Sequence, residues 1–259
     1  MHKDATPRMR TFVTIFTVVV LVYVAACAAL FYFQRSLIYF PQTAARPGDS
    51  MALKVEGATL QVATRPHAGP DAVIYFGGNA EDVSATMPEL MSAFPAQALF
   101  LMHYRGYGGS SGAPSEQALH RDALALFDKV HAQHPRVVVV GRSLGSGIAV
   151  RLATLRPVAR LVLVTPYDSL QDLAASLYPM FPVRWLLADK FESKRYAPLV
   201  QVPTTIVAAE RDEVIPRAST DQLHALFAGG VARMHVLPGV GHNTISAHPL
   251  YAAMLRGEN

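Results

Sequence analysis

Three residues carry the chemistry that this sequence makes available: Ser143 in Gly141-Arg142-Ser143-Leu144-Gly145, Asp212 in Ala209-Glu210-Arg211-Asp212-Glu213, and His242 in Gly239-Val240-Gly241-His242-Asn243. A serine hydroxyl is a poor nucleophile at neutral pH and becomes reactive only beside a base that a third group orients. Serine, acid and histidine occur here in that chain order, Asp212 and His242 each in a loop that follows an apolar run. Glu210 and Glu213 compete for the acid role, but the spacing to Val214-Ile215-Pro216 favours Asp212. Attack on a carbonyl creates an oxyanion, which needs N–H donors aimed at it. Leu144, just after the serine, and Asn79, in the turn Gly77-Gly78-Asn79-Ala80, are the candidate donors. The pentapeptide by itself is also compatible with a glycine-rich turn whose serine only caps a helix, so its companions carry the argument.

Elements that would position these residues follow from the apolar pattern. Val137–Val140 is short, β-branched and apolar, as a parallel strand covered on both faces should be, and 144–155 reads as a small-residue helix. Ser143 therefore falls on a strand-to-helix turn, with glycines two positions to either side. Further strands are expected at 72–76, 98–103, 161–165, 205–209 and 234–237, and helices near 80–94, 115–134, 217–227 and 247–255. This alternation argues a mostly parallel sheet wrapped by helices, an α/β fold, with an early antiparallel hairpin around 54–64. Asp212 and His242 then lie at the carboxyl ends of strands, where open α/β sheets place their sites. Residues 168–198, with Tyr178-Pro179, Phe181-Pro182 and Trp185-Leu186-Leu187, are too long for an ordinary connection and too apolar for a solvated loop. They are expected to form a small cap, whose aromatics could also dip into a lipid interface.

The chain has 259 residues, enough for one sizeable α/β domain, and 51% are hydrophobic against 16% charged. Part of that excess sits in Thr11–Phe33, an uncharged and mainly apolar run long enough to cross a bilayer. Residues 1–10 would be a cytoplasmic N-terminus, 11–33 a transmembrane helix and 34–259 the catalytic domain. Lys3, Arg8 and Arg10 precede the run and Arg35 and Arg46 follow it, which favours a cytoplasmic N-terminus and an extracytoplasmic domain, periplasmic in a bacterium. Val24-Ala25-Ala26-Cys27 resembles a lipobox, making a lipoprotein anchored at Cys27 the alternative, although the apolar run continues past that cysteine. The net charge of +4 suits anionic headgroups, and no basic run suggests nucleic acid. His131 and His134 read as a solvated helix face, and without an HExxH motif or a cysteine pair no metal or other cofactor is expected. Tyr104-Arg105-Gly106-Tyr107-Gly108-Gly109-Ser110-Ser111-Gly112 fits no nucleotide-binding pattern and reads as a structural loop beside the pocket.

Together these segments resemble the α/β-hydrolase superfamily, and within it the branch of membrane-anchored hydrolases that includes protein depalmitoylases and bacterial members. The likeness runs through QRSLIYFP (34–41), FGGNAED (76–82), HYRGYGGSSG (103–112), GRSLGSG (141–147), TPYDSL (165–170), YPMFPVRWLLADKFES (178–193), AERDEVIP (209–216) and GVGHN (239–243). It implies Ser143, Asp212 and His242 as nucleophile, acid and base, with Asn79 and Leu144 at the oxyanion hole. Gly77 stands where that branch commonly has histidine, and His103 where aspartate is common. The reading is a membrane-anchored serine hydrolase cleaving an acyl ester or thioester, on lipid or lipidated protein, beside membrane lipid. A serine peptidase or amidase of the same fold, or a non-catalytic membrane-bound interaction protein, are the alternatives.

Overall fold

The computed structural model describes residues 7–44 and 48–258. Lys3 and Arg46, used above to orient the chain, lie outside the described residues. The first element is a single helix, α1 (Pro7–Ile38), longer than the 11–33 stretch. Gln34 to Ile38 continue this helix beyond the apolar run, and Gln34 bonds to the cap. Among the described residues α1 is the one helix long and apolar enough to cross a membrane.

Eight strands follow: β1 (Ser50–Val55), β2 (Ala58–Arg65), β3 (Asp71–Phe76), β4 (Ala98–Met102), β5 (Arg136–Arg142), β6 (Arg160–Val164), β7 (Thr204–Ala209) and β8 (Ala232–Leu237). They form one sheet in the order β1-β2-β4-β3-β5-β6-β7-β8. The β1–β2 hairpin and the β2–β4 pair are antiparallel, and every other pairing is parallel. All six residues of β7 and five of six in β3 are buried, as the continuous apolar runs require for strands covered on both faces.

Helices supply that cover. On one face α3 (Glu116–His131), α4 (Leu144–Ala153) and α8 (Arg217–Leu226) pack Leu126, Phe127, Ile148 and Leu223 onto the sheet. On the other, α2 (Val83–Ala93) and α9 (Tyr251–Arg256) contribute Leu90, Tyr251 and Leu255. The helix expected over 247–255 is split into a 3-10 turn at Ile245–Ala247 and α9, because Pro249 cannot continue a helix. The two histidines also differ from expectation. His131 stacks on Phe127 at 5.3 Å, and His134 is buried beyond the end of α3, its Nδ1 2.8 Å from the Gly69 carbonyl. Their polar sequence neighbours concealed an aromatic contact and a loop-to-loop bond.

Between β6 and β7 the chain rises into α5 (Leu170–Leu177), α6 (Val183–Leu186) and α7 (Ser193–Tyr196). These short helices occupy the 168–198 interval and roof the carboxyl end of the sheet. Polar contacts then tie α1 to this roof. The Gln34 amide donates to the Leu186 carbonyl at 3.2 Å and accepts from the Ala188 N–H at 2.6 Å. Arg35 Nε and the Tyr39 hydroxyl both reach Asp189 Oδ2, at 3.1 and 3.0 Å. Burial and the adjacent Asp189 carboxylate hold the Tyr39 phenol well above its ordinary pKa, so it remains a donor.

Candidate active site

β5 ends where α4 begins, and the single residue between their turns is forced into an unusual backbone shape. Ser143 has φ 49° and ψ −117°, a conformation that costs a non-glycine residue roughly 1–3 kcal/mol and persists only when its surroundings impose it. They do so through close packing. A Cβ at Gly145 would overlap the Phe76 carbonyl oxygen, and one at Gly141 would overlap the Gly145 carbonyl, so only glycine lets α4 press this closely on the strand ends. The serine hydroxyl consequently stands clear at the N-terminus of α4.

His242 and Asp212 meet it there. Ser143 Oγ lies 3.0 Å from His242 Nε2, and His242 Nδ1 lies 3.0 Å from both Asp212 oxygens. A carboxylate only accepts, so Nδ1 carries the imidazole proton and Nε2 is left to accept from the serine hydroxyl. The imidazole and the carboxylate are almost wholly buried. Asp212 Oδ1 also accepts from the N–H groups of Val214 and Ile215, at 3.0 and 2.7 Å, which fixes its plane. The two competing acids are engaged elsewhere: Glu210 accepts from Gly239 N–H, and Glu213 from His242 N–H. Backbone donors lower the Glu213 pKa, its own N–H first and that of His242 next, keeping it an acceptor that anchors the histidine loop.

Both proposed oxyanion donors border the same space. Leu144 opens α4, where an N–H has no acceptor within the helix. Asn79 lines the cavity beside Ser143, its carbonyl accepting from Phe40 N–H and Tyr107 hydroxyl and its side-chain amide donating to Ile38 O at 2.9 Å. The glycine-rich 104–112 loop thus works as a brace: Tyr107 holds Asn79 at 2.6 Å, and Tyr104 holds the Gly77 carbonyl at 2.7 Å. At Gly77 a Cβ would sit 2.7 Å from Val83 and 3.0 Å from Glu81, which leaves no room for the histidine common in the resembling branch. His103, the other departure, is buried outside this cavity, and burial lowers its pKa.

Two further residues, not singled out in the sequence, join the loops. Glu81 accepts from Gly78 N–H at 2.8 Å, from Tyr75 and Thr86 hydroxyls at 2.7 Å each, and from Arg142 Nη1 at 3.1 Å. Arg142 reaches on to the His242 carbonyl at 3.4 Å. One ion pair therefore links the Gly77–Asn79 turn, the Ser143 turn and the histidine loop.

Above Ser143 lies a cavity of about 280 Å³. Leu30, Gln34, Leu37 and Ile38 of α1 form one side, and residues of α5, α6 and their connection form the roof. None of its lining residues is an aspartate, glutamate, lysine or arginine. Among the described residues no group of three histidine, cysteine or acidic side chains could hold a metal ion.

Comparison with known proteins agrees with this architecture. Residues 70–197 match the Hydrolase_4 family model, described as serine aminopeptidase, S33. An uncharacterised protein of Mycobacterium tuberculosis is 38% identical over 230 residues, 81% of this chain and 80% of that one. The α/β hydrolase domain-containing protein aho-3 of Caenorhabditis elegans is 32% identical over 61% of this chain and 47% of its own length. The chain belongs to the α/β-hydrolase superfamily. A Pyrococcus furiosus esterase superposes with a TM-score of 0.66 at 14% identity, covering 82% of this chain and 88% of that one, a likeness of fold. In this α/β hydrolase Ser143, Asp212 and His242 lie within hydrogen-bonding distance of one another and the 104–112 loop lies beside the cavity, whereas the pairing of Glu81 with Arg142 emerges only in three dimensions. Their one sequence signal is adjacency to motifs, Arg142 within GRSLG and Glu81 within FGGNAED.

Proposed function

We propose that this α/β hydrolase is a membrane-anchored serine esterase or thioesterase acting on acyl substrates, with Ser143 as nucleophile, His242 as base and Asp212 as its orienting acid. The observation that carries the reading is the continuous line of 3.0 Å contacts from Ser143 Oγ through His242 to Asp212. As Oγ bonds to the substrate carbonyl carbon, Nε2 takes its proton, and the oxyanion settles against the N–H groups of Leu144 and Asn79. The imidazolium then protonates the departing alkoxide or thiolate, leaving an acyl-enzyme. Water, deprotonated by the same imidazole, attacks the acyl carbon, Oγ leaves with the proton, and a carboxylic acid is released. A fluorophosphonate probe should label the wild type and leave Ser143→Ala unlabelled; equal labelling of both would remove Ser143 from the role.

The family description favours one second reading, an aminopeptidase. Such an enzyme must hold a substrate ammonium, and an unpaired cation in an apolar site is costly. The uncharged cavity over Ser143 supplies no carboxylate for it, which supports an acyl chain instead. Side-by-side turnover of an acyl ester and an aminoacyl amide separates the two. A folded protein that no serine probe labels would support the remaining alternative, a membrane-bound interaction protein without turnover.

Retention of α1 as a transmembrane anchor fits its bonds to the cap on both sides of Cys27, from Tyr23 and from Gln34. Cleavage before Cys27, the lipoprotein route, would discard the Tyr23 contact. With Arg8 and Arg10 ahead of the apolar run, the N-terminus is assigned to the cytoplasm and the hydrolase domain to the far side. A reporter fused after Asn259 tests this orientation, and a cytoplasmic signal would overturn it.

A further inference from the structure

The cap touches α1 far below the helix's C-terminal end. The Tyr23 hydroxyl donates to the Met180 carbonyl at 2.9 Å, and its ring stacks on Phe181 at 5.9 Å. At 1.5 Å rise per residue, a bilayer core of about 30 Å holds about 20 residues, so a span beginning at Thr11 ends near Leu30. Tyr23 would then sit about 10 Å inside the outer boundary of the hydrocarbon, and the cap connection bonded to it must sit at the same depth.

The composition of that connection suits such a place. Leu177 and Met180 are each 72% exposed and Trp185 is 88% exposed, an apolar display on the outside of the cap. Hydrocarbon also requires that backbone donors be satisfied internally. Of the eight backbone N–H groups in residues 178–187, six, those of Tyr178, Phe181, Val183, Trp185, Leu186 and Leu187, bond to carbonyls within the cap, and Pro179 and Pro182 have none to satisfy. The Met180 and Leu186 carbonyls are taken by Tyr23 and Gln34 of α1. The one cation in the stretch, Arg184, is paired with Asp172 at 2.8 Å.

We propose that the α5–α6 tip of the cap is seated in the lipid leaflet beside α1, and that the cavity between them opens into the hydrocarbon, so that the substrate is a long-chain acyl ester resident in the bilayer. The substrate half of this statement rests on the esterase reading of Ser143; the seating of the cap does not. Leu30, Leu37 and Leu177 line a path from the apolar run of α1 to Ser143, along which an acyl tail reaches the nucleophile without crossing water. α1 is then a wall of the acyl site as well as its tether.

Trp185 is the chain's only tryptophan, so its emission reports the tip alone. Full-length protein in phosphatidylcholine vesicles carrying bromine on the lipid tails should lose most of its tryptophan emission, while aqueous iodide removes little. Strong quenching by iodide and weak quenching by the brominated tails would overturn the seating. A second arm uses Met180→Asp and Trp185→Asp, whose side chains lie outside the cavity lining. Turnover of a long-chain ester embedded in the vesicles should fall by about tenfold or more, because a carboxylate resists entry into hydrocarbon, while a water-soluble butyryl ester is cleaved as before. Equal loss on both esters, or loss on neither, would overturn entry from the bilayer. If the wild type cleaves neither ester, the Ser143 reading and substrate entry fall together, while the quenching result still decides where the tip sits.

Discussion

The strand-end loops beneath Ser143 and the wall formed by α1 and the cap border one cavity, but they are held by different forces. Below, buried polar contacts dominate: three backbone loops converge on the Glu81–Arg142 pair, and the imidazole is fixed at both nitrogens. Above, apolar side chains face each other, and among the described residues a few bonds, from Tyr23, Gln34 and Arg35 of α1 and from Tyr39 just beyond it, reach the cap. A network of directional bonds fixes atoms to fractions of an ångström, whereas apolar contact holds area without fixing angle. The lower region thus suits bond making, and the upper one suits chains of varied length.

Substitutions can break this contrast or sharpen it. The largest effect is expected at Ser143→Ala, which should lower acyl-ester kcat by on the order of a millionfold with an unchanged melting temperature. Asp212→Asn should cost about ten-thousandfold in kcat by stabilising the wrong imidazole tautomer, with KM little altered. Arg142→Met leaves all three reacting groups in place but frees the loops; displacement by an ångström lowers kcat by up to about a hundredfold, again with KM nearly constant. Gln34→Ala, in the upper wall, should act in the other parameter. Loss of its two bonds to the cap costs about 1–2 kcal/mol, read as a KM for long-chain esters raised about tenfold while kcat on a short ester stays within a factor of two. A kcat loss at Gln34 equal to that at Arg142 would erase the distinction between the two regions.

The same division governs what could be read from the chain. Ser143 was legible because its turn is local: the strand, both glycines and the helix lie within a few residues of it. Asp212 and His242 were legible because each directly follows an apolar strand, so the sheet edge places them. The hairpin and the parallel strands also appear where the apolar runs fall. By contrast, Glu81 and Arg142 are 61 positions apart, and each alone resembles a surface charge. Gln34 and Leu186 are 152 apart, and neither residue type announces an acceptor so distant. His134 reads as solvated because its neighbours in sequence are polar, while its contacts in space, Phe100 and the Gly69 carbonyl, are not its neighbours. Long-range polar pairings leave no periodicity, and that is why the Glu81–Arg142 and Gln34–Leu186 contacts are hidden in the sequence while Ser143, Asp212 and His242 are not.

The two-sided grip of Gln34 on the cap has a practical consequence. A shortened chain beginning after Ile38 should keep the serine, the histidine and the aspartate in line, because none of the bonds that align them comes from α1. It would also have an open slot where Leu30, Leu37 and Ile38 now form a side. Such a fragment should accept bulky or branched acyl groups that the whole protein turns away, so a substrate profile taken on it would describe a broader enzyme than the one encoded.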